Sequence, residues 1–233
     1  METRSSHNFN YTFGTRNYLQ DERLFELGGV FDMPNILDLP QTEPPNLDFY
    51  PFHAYKGELG GVHFFIDDHL QNRVWNCPKR YYAKLAKAHT VFTPDFSPYS
   101  DYPFALQIYQ IYRSRYITRL FQEQGFNVIP YINYNDARTY EMAFSGVPKG
   151  KMLAMATQGR DKDLTLQGTK ELLKILQPSK VFVYGLKMQN ELNELFNNFI
   201  YIPTFWDLKR QGDVNGRYMT AQNSGNYADF DTF

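Results

Sequence analysis

The chain has 233 residues, enough for one full-sized core, and although 42% are hydrophobic, its 20 Phe and 18 Tyr mean that rings rather than aliphatic chains carry the core volume. A formal charge of -1 and a pI near 6.5 supply no global field for a polyanion, so nucleic-acid binding is not supported by charge and would need a local basic patch. Cys77 is the single cysteine, which excludes an intrachain disulfide, and neither a leader pattern nor a run of ~18 to 20 apolar residues occurs, so a cytosolic protein that does not enter the membrane is expected.

In chain order, residues 1–20 are rich in Asn, Ser, Thr and Tyr without apolar periodicity and predict an irregular arm. Asp21 to Leu27 predicts one helical turn, stopped by Gly28-Gly29. Pro34, Pro40, Pro44 and Pro45 predict an extended, wrapping linker over 28–46, because proline lacks a donor and restricts its predecessor. Leu47 to Pro51 reads as a first strand and Val62 to Ile66 as a second, closed by Asp67-Asp68. Asn76 and Pro78 are placed as cap and first-turn residues of a helix through about Lys87. Thr90 to Thr93 is the next strand.

Phe104 to Gln124 predicts the longest helix, with Ala105, Ile108, Tyr109, Tyr112, Tyr116 and Leu120 in one stripe and Gly125 as its stop. Strand 127–132, a helical piece over 137–144 and strand 152–157 follow, and Gln158-Gly159 opens a charged loop. Leu166, Thr169, Leu172, Leu173 and Leu176 mark a helix that Pro178 ends. Val181 to Tyr184, a short helix over 191–196 and strand 199–202 complete the pattern. From Gln211 onward, Gly, Asn and Asp replace aliphatics. The expected organisation is an N-terminal arm and linker (1–46), an α/β domain (47–210) and a flexible tail (211–233). Near-regular strand and helix alternation, with no Gly-rich phosphate loop after the first strand, favours a (β/α) barrel-like fold, complete or incomplete, over the alternative of an open parallel sheet.

In such folds, sites form where the strands end. Asp67 and Asp68, Asp95 and Asp136 each follow a predicted strand. Neighbouring strands lie about 5 Å apart, so carboxylates at their ends can share an ion or split acid and base roles. The competing reading is that each Asp caps the next helix or turn. Asp67, Asp95 and Asp136 are the candidate catalytic set, and Asp67 and Asp95 the candidate ligands of Mg²⁺ or Mn²⁺. Arg115 lies on an apolar side of the long helix and calls for a buried partner such as Asp95, Asp101 or a ligand anion, whereas Arg113 faces another way. Arg138 can present its guanidinium to the same cleft as Asp136. His63 and Asp67 share a strand face but lie about 13 Å apart, too far to hold one ion. Nucleophile elbows, Walker loops, C-x-x-C and H-E-x-x-H motifs are all absent. Lys79, Arg80, Lys84 and Lys87 with Tyr81 and Tyr82 read as a solvated basic face. The terminal Asp229-Phe230-Asp231-Thr232-Phe233 reads as disordered, with docking into a partner's groove as the functional alternative.

The run Gly61 to Asp68, then Thr93-Pro-Asp-Phe-Ser97 with Asp101 and Pro103, Leu106-Gln107, and Tyr112-Arg-Ser-Arg115, resembles an uncharacterised family built on a domain of unknown function, DUF4417. The likeness continues through Gly125, Val128-Ile-Pro130, Asp136-Ala-Arg-Thr-Tyr140, Phe144, Gly146, Thr157-Gln-Gly159 and Val183-Tyr-Gly185, covering roughly 50–186. Where the family pattern often has Trp after the strand near 131, this chain has Asn133-Tyr134. Members of that family are carried largely by phages, plasmids and other mobile elements of bacteria. The resemblance therefore implies a phage or mobile-element protein in the cytoplasm of a bacterial host. Its matched polar positions are Asp67, Asp68, Asp95, Asp101, Arg113, Arg115, Asp136 and Arg138, with Gly159 beside them as a ligand-binding candidate. The expected role is an accessory protein in DNA replication or host takeover that meets a host or phage protein partner. The alternatives are a metal-dependent phosphoester hydrolase or nuclease, and a virion structural or assembly protein.

Overall fold

The structure, a computed structural model, describes residues 25–45, 48–204 and 206–207. The expected arm over 1–20, most of the turn over 21–27 and the tail over 211–233 lie outside the described residues. The first described elements are β1 (Leu27–Gly28) and β2 (Met33–Pro34), paired antiparallel. Their connecting turn uses positive φ at Gly29 and Asp32. Part of the segment expected to be an extended linker is thus a small hairpin.

Seven parallel strands follow in two sheets, and within each sheet every strand pairs with the next in the chain. β3 (Phe49–Pro51), β4 (Gly61–His63), β5 (Thr90–Phe92) and β6 (Val128–Ile129) form one sheet. β7 (Met152–Ala156), β8 (Lys180–Tyr184) and β9 (Phe199–Ile202) form another. A parallel bridge between Tyr131 and Ala154 joins them, with Ile132 N–H donating to Ala154 O at 2.9 Å and Ala154 N–H to Pro130 O at 2.8 Å.

Between the strands lie α1 (Asp68–Asn76), a 3-10 turn (Pro78–Tyr81) running into α2 (Tyr82–Leu85), and α3 (Phe104–Glu123). In the second half a 3-10 turn (Ala137–Thr139) precedes α4 (Tyr140–Phe144), followed by α5 (Lys162–Leu176) and α6 (Gln189–Asn193). α1 is absent from the sequence reading, which starts the first helix at Asn76. Instead Asn76 ends α1, and Pro78, lacking a donor, opens the next turn.

Strand alternation sorts the core into layers. Phe92, Ile129, Ala154, Phe182 and Ile202 pack in one cluster with Phe49 and Tyr184, drawn from strands of both sheets. Phe182 of β8 meets Phe49 of β3 at 5.9 Å and Phe92 of β5 at 5.2 Å between ring centroids. The strands therefore curl around a shared aromatic interior. On the opposite face, Val62, Phe64 and Val91 pack with Val74 and Trp75 of α1 and Ile117, Leu120 and Phe121 of α3. Leu153, Met155, Val181 and Val183 pack with Leu172 and Leu176 of α5. Among the described residues, no ladder joins β9 to β3.

The stripe expected on α3 holds in its second half, where Tyr116 and Leu120 are buried, and is displaced in its first, where Ala105 and Tyr109 are exposed. Tyr109 is 43% exposed, while Ile111, Ser114, Ile117 and Phe121 are buried. Arg115 and Gln122 on the same helix are buried because the segment around β2 covers a second side. Arg115 donates to Pro34 O, Ala143 O and Ser145 O, and Gln122 exchanges two hydrogen bonds with the backbone of Leu37.

Candidate functional site

The carboxyl ends of β4 to β7 hold a polar cluster. Asp95 follows β5 and is gripped by Gln71, a fully buried side chain of α1. The Gln71 amide donates to Asp95 Oδ1 at 2.8 Å and accepts from Asp95 N–H at 3.0 Å, and it also donates to Ile66 O at 2.8 Å. Both elements are thereby held in fixed register by one side chain. Asp95 as a residue is half-buried. Burial, reinforced by the nearby Asp68 carboxylate, raises the Asp95 carboxyl well above the usual range. Its Oδ2 has no hydrogen bond or ion pair among the described residues.

Asp68, in the first turn of α1, accepts from Ser97 N–H at 3.2 Å, from Ser97 Oγ at 3.3 Å and from Gln110 Nε2 at 3.3 Å. Burial raises its carboxyl too, against the opposing effect of those Ser97 bonds and of Arg113. Gln110 in turn accepts from Arg113 Nε at 3.0 Å, Asn72 accepts from Arg113 Nη1 at 2.8 Å, and the guanidinium carbon lies 3.7 Å from the centre of the Phe96 ring. Arg113 is thus a cation held by amide oxygens and ring faces that steadies the loop after β5.

Near Asp95, Tyr131 beyond β6 is buried, and burial pushes its hydroxyl upward, with the Arg160 guanidinium beside it acting in the other direction. Arg160 closes the turn that follows β7 and lies 4.8 Å over the ring of Tyr134. The Tyr134 hydroxyl is tied to Thr169 Oγ1 at 2.9 Å and to Thr165 O at 3.3 Å on α5. Gly168 of α5 makes room for this ring, since an added Cβ would collide with it. Asn133-Tyr134 thus places an aromatic surface beneath a cation.

Near the ends of β3 and β4 sit two histidines. His63 is fully buried, its Nδ1 accepts from Phe65 N–H at 3.3 Å, and its Nε2 has no hydrogen-bond partner. The acceptor role of Nδ1 places the proton of the neutral ring on Nε2. Burial, with a smaller push from His53, drives it down to about 3. His53 is lowered by burial and by the Arg73 and Lys84 cations.

Of the sequence candidates, Asp68, Asp95 and Arg113 come together, Gln110 bonding both Asp68 and Arg113, whereas Asp67, Asp101, Asp136, Arg115 and Arg138 have separate surroundings. Asp67 is exposed at the start of α1 and makes no capping bond. Asp136 caps the turn before α4, accepting from Arg138 N–H at 3.0 Å and pairing with the Arg138 guanidinium at 2.6 Å, and this pairing holds its carboxyl below the usual range. Asp101 is exposed in the turn from Tyr99 to Tyr102. In place of an anionic partner, Arg115 bonds carbonyl oxygens, and burial pushes it down to about 9. Gly159 has φ +71° with open space where a Cβ would stand, as a turn requires. Among the described residues, no group of three or more His, Cys, Asp or Glu side chains is placed to hold a metal ion. Sequence reasoning missed Gln71, Tyr131 and Arg160. Arg160 had a visible signal: a charged residue immediately after Gln158-Gly159 at a strand end.

These features define an α/β protein of parallel strands with a carboxyl, a phenol and a guanidinium gathered where the strands end. The chain belongs to the family described as domain of unknown function DUF4417, whose model matches residues 25–203. It is 30% identical over 220 residues to the Gene 1 protein of Mycobacterium phage L5, covering 90% of this chain and 94% of that protein. It is also 30% identical over 219 residues to the Gene 1 protein of Mycobacterium phage D29, covering 90% and 80%. The resemblance read from the residues is therefore correct, and the relatives are phage proteins. No solved structure matches the chain. No helix among the described residues is long and apolar enough to cross a membrane.

Proposed function

We propose that this protein is a phage accessory protein of the host cytoplasm that binds a small ligand in the strand-end cleft, with Asp95 as its proton-donating group. The observation carrying this reading is that Asp95 is locked by Gln71 through one oxygen while the other has no hydrogen bond among the described residues. A carboxyl raised by its surroundings stays protonated at pH values where an ordinary one has ionised, and so can donate. The curl of seven consecutive parallel strands supports an incomplete barrel, in which loops at one end share a ligand.

The test is a thermal-shift screen of the purified chain against nucleotides, sugar phosphates and carboxylic acids at pH 5.5 and 8. At least one class should raise the melting temperature, and Asp95→Ala should remove the rise. No shift from any class, or an equal shift in Asp95→Ala, sinks the reading.

A second reading, phosphoester chemistry on Mg²⁺ or Mn²⁺, is favoured by the Asp68 carboxylate raising that of Asp95, since a cation between the two relieves that elevation. The ion carrier supported by this geometry is Asp68 with Asp95 rather than Asp67. Either ion should then raise the melting temperature, and Asp68→Asn should abolish the effect. Indifference to both ions removes this reading and leaves the first.

A further inference from the structure

Four of the described arginines have amide, carbonyl or carboxylate oxygens as partners. Arg113 bonds Gln110 and Asn72, Arg115 bonds three carbonyls, Arg119 pairs with Glu123, and Arg138 pairs with Asp136. Arg160 differs. It is half-buried over the Tyr134 ring, and no carboxylate among the described residues lies within ion-pair reach of it. A guanidinium presents five donors in a planar fork, and drawing it partly out of water is costly unless an anion meets it. The Tyr131 hydroxyl stands beside it, and Asp95 is close enough to interact with both.

We propose that Arg160, Tyr131 and Asp95, on the loops or ends of three successive strands, form a subsite for the phosphate group of a small ligand. The inference rests on the ligand-binding reading of the cleft and names the chemistry recognised there. Arg160 supplies charge and a two-pronged donor, the Tyr131 hydroxyl a third donor, and protonated Asp95 a fourth. Donors rising from different strand ends suit a tetrahedral oxyanion, which offers oxygens in several directions, better than a planar carboxylate, which one arginine fork satisfies alone. Tyr134 fixes the height of the guanidinium, and Gly168 fixes Tyr134.

The experiment titrates the full chain with inorganic phosphate at constant ionic strength, following heat and ³¹P line width, in wild type, Arg160→Gln and the surface control Arg138→Gln. Wild type and Arg138→Gln should bind alike, and Arg160→Gln at least tenfold more weakly. Equal binding by Arg160→Gln and wild type overturns the proposal, as does preference for acetate or malonate over phosphate. Should Arg160→Gln not fold, the wild-type ³¹P signal still decides, because an unbroadened line at millimolar phosphate overturns the proposal on its own.

The pH dependence gives an independent readout. Asp95 faces Gln71 and Asp68 of α1, Tyr131 beyond β6 and Arg160 beyond β7. As it ionises, a donor becomes a second anion beside the phosphate, so binding should weaken with rising pH more steeply in wild type than in Asp95→Asn. Parallel profiles remove Asp95 from the subsite. If phosphate binds equally with and without Arg160 while Asp95→Ala still abolishes the shift from some ligand class, the subsite fails and the cleft reading stands. If phosphate binding needs Arg160 but no organic ligand responds to Asp95→Ala, the cleft reading fails and a bare anion site remains.

Discussion

Arg115 shows how a charged side chain serves as mortar. Its donors reach Pro34 O at 3.0 Å, Ala143 O at 3.0 Å and Ser145 O at 2.6 Å, so one side chain of α3 satisfies carbonyls of β2 and of the end of α4. Arg115→Met keeps the apolar stem but orphans these acceptors, and should cost about 2 to 4 kcal/mol in urea unfolding. An effect within experimental error would show that water replaces the guanidinium. His63 carries a pH signature. Its folded-state value of about 3 lies below that of an unfolded histidine, so its contribution is intact above pH 6.5 and is lost as pH falls through that window toward 3. Stability should therefore drop by about 1.4 kcal/mol per pH unit from this group, and His63→Asn should flatten the slope by that amount. Identical slopes in the two proteins would show that His63 becomes solvated before it titrates.

Among the elements, the join between the two sheets is the informative place. The direct link is a single bridge at Tyr131 and Ala154, and Gln41, from the segment before β3, reinforces it nearer the strand starts. Its amide donates to Val128 O at 2.9 Å and Met152 O at 3.0 Å and accepts from Met152 N–H at 2.8 Å. One side chain thereby does what a ladder between β6 and β7 would do. Gln41→Leu should destabilise by about 1 to 3 kcal/mol through unpaired buried groups. It should also accelerate amide exchange at Met152 before that at Val183 in the middle of β8. Unchanged exchange at Met152 would mean that the bridge alone holds the strands.

For the whole molecule, the question is whether two sheets behave as one cooperative unit. Phe182 is fully buried and touches Phe49 and Phe92, so its ring belongs to both halves of the interior. Phe182→Ala should cost about 3 to 5 kcal/mol, the usual price of an aromatic deletion in a closed core. Amides of Val91 in β5 and Val183 in β8 should lose protection together. Loss confined to β7, β8 and β9 would show that the two halves unfold separately.

Local chemistry written along the chain determined the strand and helix order. β-branched and aromatic runs lie between helix-length segments, Gly125 stops α3, and a family pattern spans most of the molecule. The sequence also marked Asp68 and Asp95 as strand-end carboxylates, because a polar residue after an apolar run carries that signal by itself. Tertiary structure alone decided which aspartates meet. Asp136 has its partner two residues away in Arg138, whereas Asp95 is gripped by Gln71 from another element. It also decided that Arg115 bonds carbonyls, that the first half of α3 turns its expected stripe outward at Ala105 and Tyr109, and that Arg160 and Tyr131 share a space. Burial, orientation and proximity between residues far apart in sequence are properties of packing, and the 3.6 and 2.0 residue periods do not encode them.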